Sequence, residues 1–234
     1  MNKFLIITGG SSGIGYAAAV LFQKENYKVI NLSRSEIPLK DAIHIPVDLS
    51  TSTWHEEVSS TFKTLLEDAD QISLIHNASK MQSDNVENFD LNALRDVLEV
   101  NLVGPSILNQ LTIPYMKRGS SIIYVGSTLS EKAVPQMSSY VTTKHGMIGL
   151  MKSTCQDLFG RFIHTACVCP GATETEMLQE YVQGNAEALK IMAGTLSENR
   201  LISSPEIAST LLFCAQNSVI NGSVIHANLG ILST

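Results

Sequence analysis

The chain has 234 residues, 44% hydrophobic and 16% charged, with a formal net charge of −6 at pH 7. Those proportions describe a well-buried globular core and exclude a disordered chain. The acidic balance, with no basic block, gives no footing to a nucleic-acid or anionic-membrane role, and no apolar run approaches the roughly 20 residues of a membrane span.

The first apolar run, residues 3–8, is too short for a signal peptide and passes straight into glycines, which points to a cytoplasmic protein. No linker interrupts the chain, so its length suits one domain. Four cysteines (155, 167, 169 and 214) form no CxxC pair. They read as buried core thiols of a reducing compartment, not as zinc ligands.

The opening run ends in Thr8-Gly9-Gly10-Ser11-Ser12-Gly13-Ile14-Gly15, and Ala17, Ala18, Val20, Leu21 and Phe22 then set up a helix. A buried strand, a glycine-rich turn and a helix N-terminus make a phosphate site, because backbone N–H groups and the macrodipole point at the anion. The spacing is GxxxGxG, not GxGxxG; a plain tight turn is the alternative. A second strand, 27–33, closes with Ser33-Arg34. Dinucleotide folds place the ribose reader about 20 residues past the glycines, acidic for NAD and Arg-assisted for NADP. Arg34 therefore reads as the NADP-selecting cation, or else as an ordinary surface charge.

The next connection is short, so the usual second helix is reduced to a turn around Pro38. A third strand, 43–47, leads to Asp48 and Leu49, where adenine contact competes with a simple helix start running from Ser50 to about Glu67. A fourth, 72–76, ends in Asn77-Ala78-Ser79. The helix that follows, roughly 91–116, carries Asn101 and then Gly104-Pro105. Pro105 has no N–H, so the carbonyl of Asn101 loses its helical partner and wants water or a ligand.

A fifth strand, 122–126, ends at Ser127. Ser138 and Ser139 are plausible N-caps for a helix to about Gly160. On it Tyr140 and Lys144 lie one turn apart on one face. A free phenol, with pKa about 10, is a poor acid at neutral pH. A cation at about 4 Å is worth roughly 4 kcal/mol at an effective dielectric near 20, enough to make it a working acid/base. The alternative is a solvated lysine above a core tyrosine. A sixth strand, 162–169, ends in Pro170-Gly171, a polar helix-prone stretch runs to Arg200, Pro205 starts a helix through Cys214, and 219–227 is the last strand.

Strands alternate with helices throughout. The fold class is α/β: a three-layer, Rossmann-like, doubly wound parallel sheet of about seven strands. The polar motifs at 9–15, 34, 48, 77, 127 and 170–175 each fall just after a strand, on the edge where open α/β sheets bind ligands.

These motifs together resemble the short-chain dehydrogenase/reductase family nearly end to end. TGGSSGIG at 8–15 is similar to its TGxxxGxG loop, Asn77-Ala78 to its NNAG, Asn101 to its helix asparagine, and Pro170-Gly171-Ala172-Thr173-Glu174-Thr175 to its PGxxxT segment. Ser127, Tyr140 and Lys144 match its catalytic serine, tyrosine and lysine. The resemblance implies that Tyr140 exchanges the proton with the substrate oxygen and that Ser127 hydrogen-bonds that oxygen. Lys144 would make the phenol easier to ionise and hold the nicotinamide ribose, and Asn101 would bind a relay water through its main-chain carbonyl. It also implies a cofactor site of Gly9, Ser11, Ser12, Gly13, Ile14, Gly15, Arg34, Asp48, Leu49, Asn77, Ala78, Tyr140, Lys144, Pro170, Gly171, Thr173 and Thr175, with no metal. His76 and Ser79 depart from NNAG, Ser12 stands where many NADP-using members carry a base, and Asn228-Leu229-Gly230 departs from Asp-Gly-Gly.

The expectation is an NADP(H)-preferring oxidoreductase acting on a small carbonyl or alcohol. Two other readings are a silent nucleotide-binding scaffold and a dehydratase or epimerase on the same frame. Leu129, Val134, Met137, Met177 and Met192 are candidate pocket walls, and 172–200 a substrate flap. The apolar second half of the 138–160 helix (Met147, Ile148, Leu150, Met151, Cys155, Leu158, Phe159) predicts a subunit interface in a homodimer or homotetramer, with Gly146 and Gly149 permitting close approach.

Overall fold

Seven short runs, most of them rich in Ile, Val and Leu, form the strands β1 (Lys3–Thr8), β2 (Lys28–Ser33), β3 (Ile43–Pro46), β4 (Gln71–His76), β5 (Ser121–Val125), β6 (His164–Pro170) and β7 (Ser223–Ala227). In the structure, a computed structural model that describes residues 1–231, they make one parallel sheet of order β3-β2-β1-β4-β5-β6-β7. The chain winds outward from β1 to β3, then returns to lay β4 against the other side of β1. That reversal opens a crevice at the carboxyl ends of β1 and β4.

The helices are α1 (Gly13–Lys24), α2 (Trp54–Leu65), α3 (Leu91–Leu98), α4 (Gly104–Thr112), α5 (Ser138–Asp157), α6 (Glu176–Tyr181), α7 (Ala186–Gly194) and α8 (Ser204–Gln216). Side chains alternate across each strand. Leu5 and Ile7 therefore pack with Ala18, Ala19 and Phe22 of α1 and Leu211 of α8. Phe4 and Ile6 join the opposite core, with Val58 and Phe62 of α2 and Met147 and Met151 of α5. No helix among the described residues is long and apolar enough to cross a membrane.

Residues 34–42 hold no helix, as the Pro38 turn implies. Ile37 is buried, and Tyr16 and Gln23 of α1 donate to the carbonyls of Pro38 and Lys40 at 3.3 and 2.7 Å.

Several local expectations are corrected. The helix expected from Ser50 begins at Trp54, because Asp48 closes a turn first: Thr51 N–H donates to the Asp48 carbonyl at 3.2 Å. The helix expected over 91–116 is broken by a π turn, Glu99–Val103, in which Gly104 N–H reaches back five residues to Glu99. Pro105 enforces this, since it offers no N–H to Asn101. The last strand begins at Ser223 because Ser218–Ile220 wind into a 3-10 turn. Cys155 is only half-buried, its thiol directed to Asn221 Oδ1 at 3.4 Å; Cys167, Cys169 and Cys214 are buried.

The apolar half of α5 is also better covered than its composition implies. Met147, Ile148, Met151 and Leu158 are buried within the chain, because the π turn and α3 pack on the helix beside the sheet. Gly146 admits Leu102 of the same chain, 3.1 Å from where a Cβ would stand. Gly149 faces open space, and Phe159 is 89% exposed.

Candidate active site

The glycine loop is held from beneath by two asparagines. Asn77, just past β4, donates from Nδ2 to the carbonyls of Thr8 and Gly9, both at 3.0 Å. Thr8 Oγ1 accepts the N–H groups of Asn77 and Ala78 at 3.0 and 2.9 Å. Asn31, buried in β2, accepts the Gly10 N–H at 2.7 Å. Gly9 and Gly13 have φ of 67° and 52°, and a Cβ on Gly15 would lie 2.1 Å from the Gly9 carbonyl oxygen. Only glycine fits such a turn. Ser12 is the N-cap of α1 but makes no side-chain capping bond, and the first turn carries no acid. The loop with Ser11, Ser12 and Ile14 thus leaves helix N–H groups for an anion, and its residues fit a dinucleotide phosphate.

Along the edge from this loop, Arg34 is exposed and makes no ion pair among the described residues. Ser33 donates its hydroxyl hydrogen to the Ser35 carbonyl at 2.7 Å and accepts from Asn31 Nδ2 at 2.7 Å. Asp48 is exposed. The Ser50 hydroxyl, at 2.7 Å, and the Ser50 N–H hold its carboxyl below the usual range. Leu49 is a buried core residue packed on Gly104.

Across β4 and β5 the remaining candidates come together. Ser127, two residues past β5, caps a 3-10 turn, Thr128–Ser130. Its Oγ accepts the Leu129 N–H at 3.1 Å, which leaves its own hydrogen to give. Lys144 is 2% exposed, and its ammonium donates to the Val125 carbonyl at 2.8 Å. The same ammonium lies 5.4 Å from the centre of the Tyr140 ring. This is no solvated surface lysine. A buried ammonium with one neutral acceptor keeps two hydrogens for further partners.

Asn101 sits in the π turn with its side chain fully engaged. Oδ1 accepts from Lys80 N–H at 2.7 Å and Ser79 Oγ at 3.2 Å, and Nδ2 donates to the Lys80 carbonyl and Thr143 Oγ1, both at 2.9 Å. Its side chain is thus an anchor, which leaves only its main-chain carbonyl to face a ligand.

The segment after β6 closes on the glycine loop: a Cβ on Gly13 would lie 3.1 Å from Thr175 Cγ2. Pro170 ends the strand, Gly171 N–H donates to the Ala227 carbonyl at 3.1 Å, Thr173 is buried, and Thr175 caps α6. Leu229 accepts the Ser197 N–H at 3.0 Å, so the Asn228-Leu229-Gly230 turn ties down the end of the flap. A groove of about 790 Å³ between α1, α6 and α8 touches Gly13 and Thr175 but none of Asn101, Ser127, Tyr140 and Lys144.

The family model for short chain dehydrogenase matches residues 3–186. The chain belongs to the short-chain dehydrogenase/reductase family. An uncharacterized oxidoreductase of Thermotoga maritima is 29% identical over 98% of this chain and 97% of its own length. Carbonyl reductase family member 4 of Xenopus laevis is 28% identical, over 99% and 98%. A short chain dehydrogenase family protein from Francisella tularensis superposes with a TM-score of 0.89 at 26% identity, covering 98% of each chain. The protein is a short-chain dehydrogenase/reductase enzyme, of a family that uses NAD(H) or NADP(H) and small-molecule substrates.

Within that short-chain dehydrogenase/reductase frame, His76 turns away from the glycine loop. Its Nε2 pairs with Asn109 Oδ1 at 2.8 Å, and its ring lies 4.8 Å from that of Tyr124. Burial pushes it down to about 4. Ser79 adds a bond to Asn101 that a glycine would lack. Sequence reasoning missed Asn31, Asp84 and Thr143. Asn31 is betrayed only by its polarity inside the apolar run 29–32; the other two carry no local signal.

Proposed function

We propose that this enzyme transfers a hydride between NADP(H) and a carbonyl or alcohol, using residues 1–234 as one dinucleotide-binding and catalytic domain with a flap at about 172–200. The buried Lys144 ammonium beside Tyr140, with a single neutral acceptor among the described residues, is the observation that carries this reading. A cation held there, with hydrogens still to give, asks for a hydroxyl partner such as a ribose.

The dinucleotide, when bound, supplies or accepts the hydride. Tyr140 gives its hydroxyl proton to the substrate oxygen in reduction and takes it back in oxidation. Ser127 donates its hydrogen to the same oxygen, which stabilises the negative charge developing there. Lys144 holds the ribose with the hydrogens not engaged by Val125. The Asn101 carbonyl, denied its i+4 N–H by Pro105, holds the water that returns a proton to the tyrosine. Arg34 pairs with the 2′-phosphate. Ser33 has committed its hydrogen to Ser35, so discrimination falls to the guanidinium.

The test is a panel of ketones, aldehydes and alcohols followed by NADPH absorbance, with NADH alongside. Turnover of at least one member, abolished by Tyr140→Phe, supports the reading; no turnover with either cofactor overturns it.

A further inference from the structure

The peptide groups around Tyr140 are gripped directly by Asp84 from outside the helix, and by Thr143 of the same helix, which Asn101 holds in turn. On the N-terminal side, Asp84 Oδ1 accepts the Ser139 N–H at 2.9 Å, and Asp84 N–H donates to the Gln136 carbonyl at 3.1 Å. On the C-terminal side, Thr143 Oγ1 donates to the Tyr140 carbonyl at 2.9 Å while accepting Asn101 Nδ2 at 2.9 Å. Asp84 is 8% exposed, and Asn101 and Thr143 are fully buried.

Both grips start from one segment. Asn101 is bonded to Ser79 and Lys80, so the loop 79–84 past β4 reaches Tyr140 once through Asp84 and once through Asn101 and Thr143. Nothing local replaces these contacts. The N-cap of α5 is Met137, which has no side-chain oxygen, and neither Ser138 nor Ser139 caps the helix as their sequence suggests. The Ser139 hydroxyl is buried and has no partner among the described residues. A carboxylate on the first-turn N–H groups also meets the positive end of the helix macrodipole.

We propose that Asp84 and Thr143 are positioning residues that set the Tyr140 phenol against Lys144, an inference that rests on the function proposed above. The two members of the pair have separate supports. Lys144 is tied to the sheet through Val125, whereas Tyr140, the third residue of α5, is tied to the loop 79–84. Releasing the loop frays the first turn and moves the phenol while the ammonium stays. The glycine loop, braced by Asn77 and Asn31, is untouched.

The full-length enzyme is assayed with NADPH and a carbonyl from the panel, as wild type, Asp84→Ala, Asp84→Asn, Thr143→Val and Thr143→Ser. Misplacing a reacting group by about 1 Å costs up to about a hundredfold, so Asp84→Ala and Thr143→Val should lower kcat by about ten- to a hundredfold. NADPH Kd should stay within about twofold, because no cofactor contact is removed. Asp84→Asn keeps the acceptor and Thr143→Ser keeps the hydroxyl, so both should return kcat to within about threefold of wild type. If Asp84→Ala does not fold, the Thr143 pair and Asp84→Asn still decide. A lower melting temperature with unchanged kcat in Thr143→Val, or losses as large in the conservative variants, overturns the positioning role. A wild type that reduces no carbonyl overturns both proposals, and is distinguished from failure of this one by the wild-type assay itself.

Discussion

The Lys144 ammonium lies 5.4 Å from the centre of the Tyr140 ring and is fastened by a 2.8 Å hydrogen bond to the Val125 carbonyl on β5. One turn of helix sets the lysine beside the tyrosine; the sheet keeps it there. Tyr140→Phe removes one hydroxyl, and loss of general acid alone typically costs 10²–10⁴-fold. Turnover should fall by at least about a thousandfold with NADPH affinity near normal, since the charge stabilisation at the substrate oxygen goes too. Lys144→Ala should lower turnover and cofactor affinity together. Steady-state kinetics and cofactor titration separate the two, and a Tyr140→Phe enzyme of nearly full activity would show that the pair is not the catalytic centre.

Arg34 should make the enzyme prefer NADP(H). It is exposed at the end of β2 and unpaired among the described residues, and the neighbouring hydroxyl of Ser33 is turned to Ser35. A charge-assisted pair with the 2′-phosphate gives a preference of about ten- to a hundredfold. Arg34→Leu should erase most of it. Equal affinities of the wild type for the two cofactors refute the assignment.

His76 should make the fold acid-sensitive. Its folded value, about 4, lies below the ordinary 6.5 because burial disfavours the charged ring. The unfolded chain therefore binds the proton first. The stabilising contribution is fully present above pH 6.5 and is lost as pH falls from 6.5 through 4, amounting to about 3 kcal/mol at full loss. His164, also lowered by burial, acts in the same direction. His76→Asn removes one of these two titrations, so the drop in melting temperature between pH 7 and 4.5 should be smaller than in wild type. Identical slopes would rule out His76 as the cause.

The flap should move when the cofactor binds. No residue of α6 or α7 is buried, whereas its base is pinned by Glu174 N–H to the Ile202 carbonyl at 2.8 Å and by buried Leu196. Glu176 Oε2 would lie 3.4 Å from a Cβ on Gly13, so an anion on the glycine loop would face that carboxylate. Limited proteolysis inside 176–194 should differ with and without NADPH. Equal cleavage in both states counts against it.

Assembly should be seen as a mass above 25.4 kDa. With most of the apolar half of α5 covered internally, the open strip at Gly149 and the exposed Phe159 are what remain for a partner. Light scattering at micromolar protein is expected to give a dimer or tetramer, reduced toward monomer by Gly149→Glu. A wild-type monomer ends this expectation.

The strands, the glycine turn and the tyrosine–lysine spacing can be read along the chain because each rests on local rules: short continuous apolar runs for strands buried on both faces, positive φ at glycine and one helical turn. Pro105 likewise announces the break at Asn101, since a missing N–H is a covalent fact. Other features arise from residues far apart in sequence. Asp84 caps α5 from 55 positions away, Asn31 holds Gly10 across two strands, and His76 finds Asn109. Ser138 and Ser139 look like caps and do not act as caps, because a hydrogen bond depends on which acceptor the fold brings near. The coverage of α5 by α3 and the π turn is of the same kind: composition shows how much of a helix is apolar, and only packing decides what lies against it.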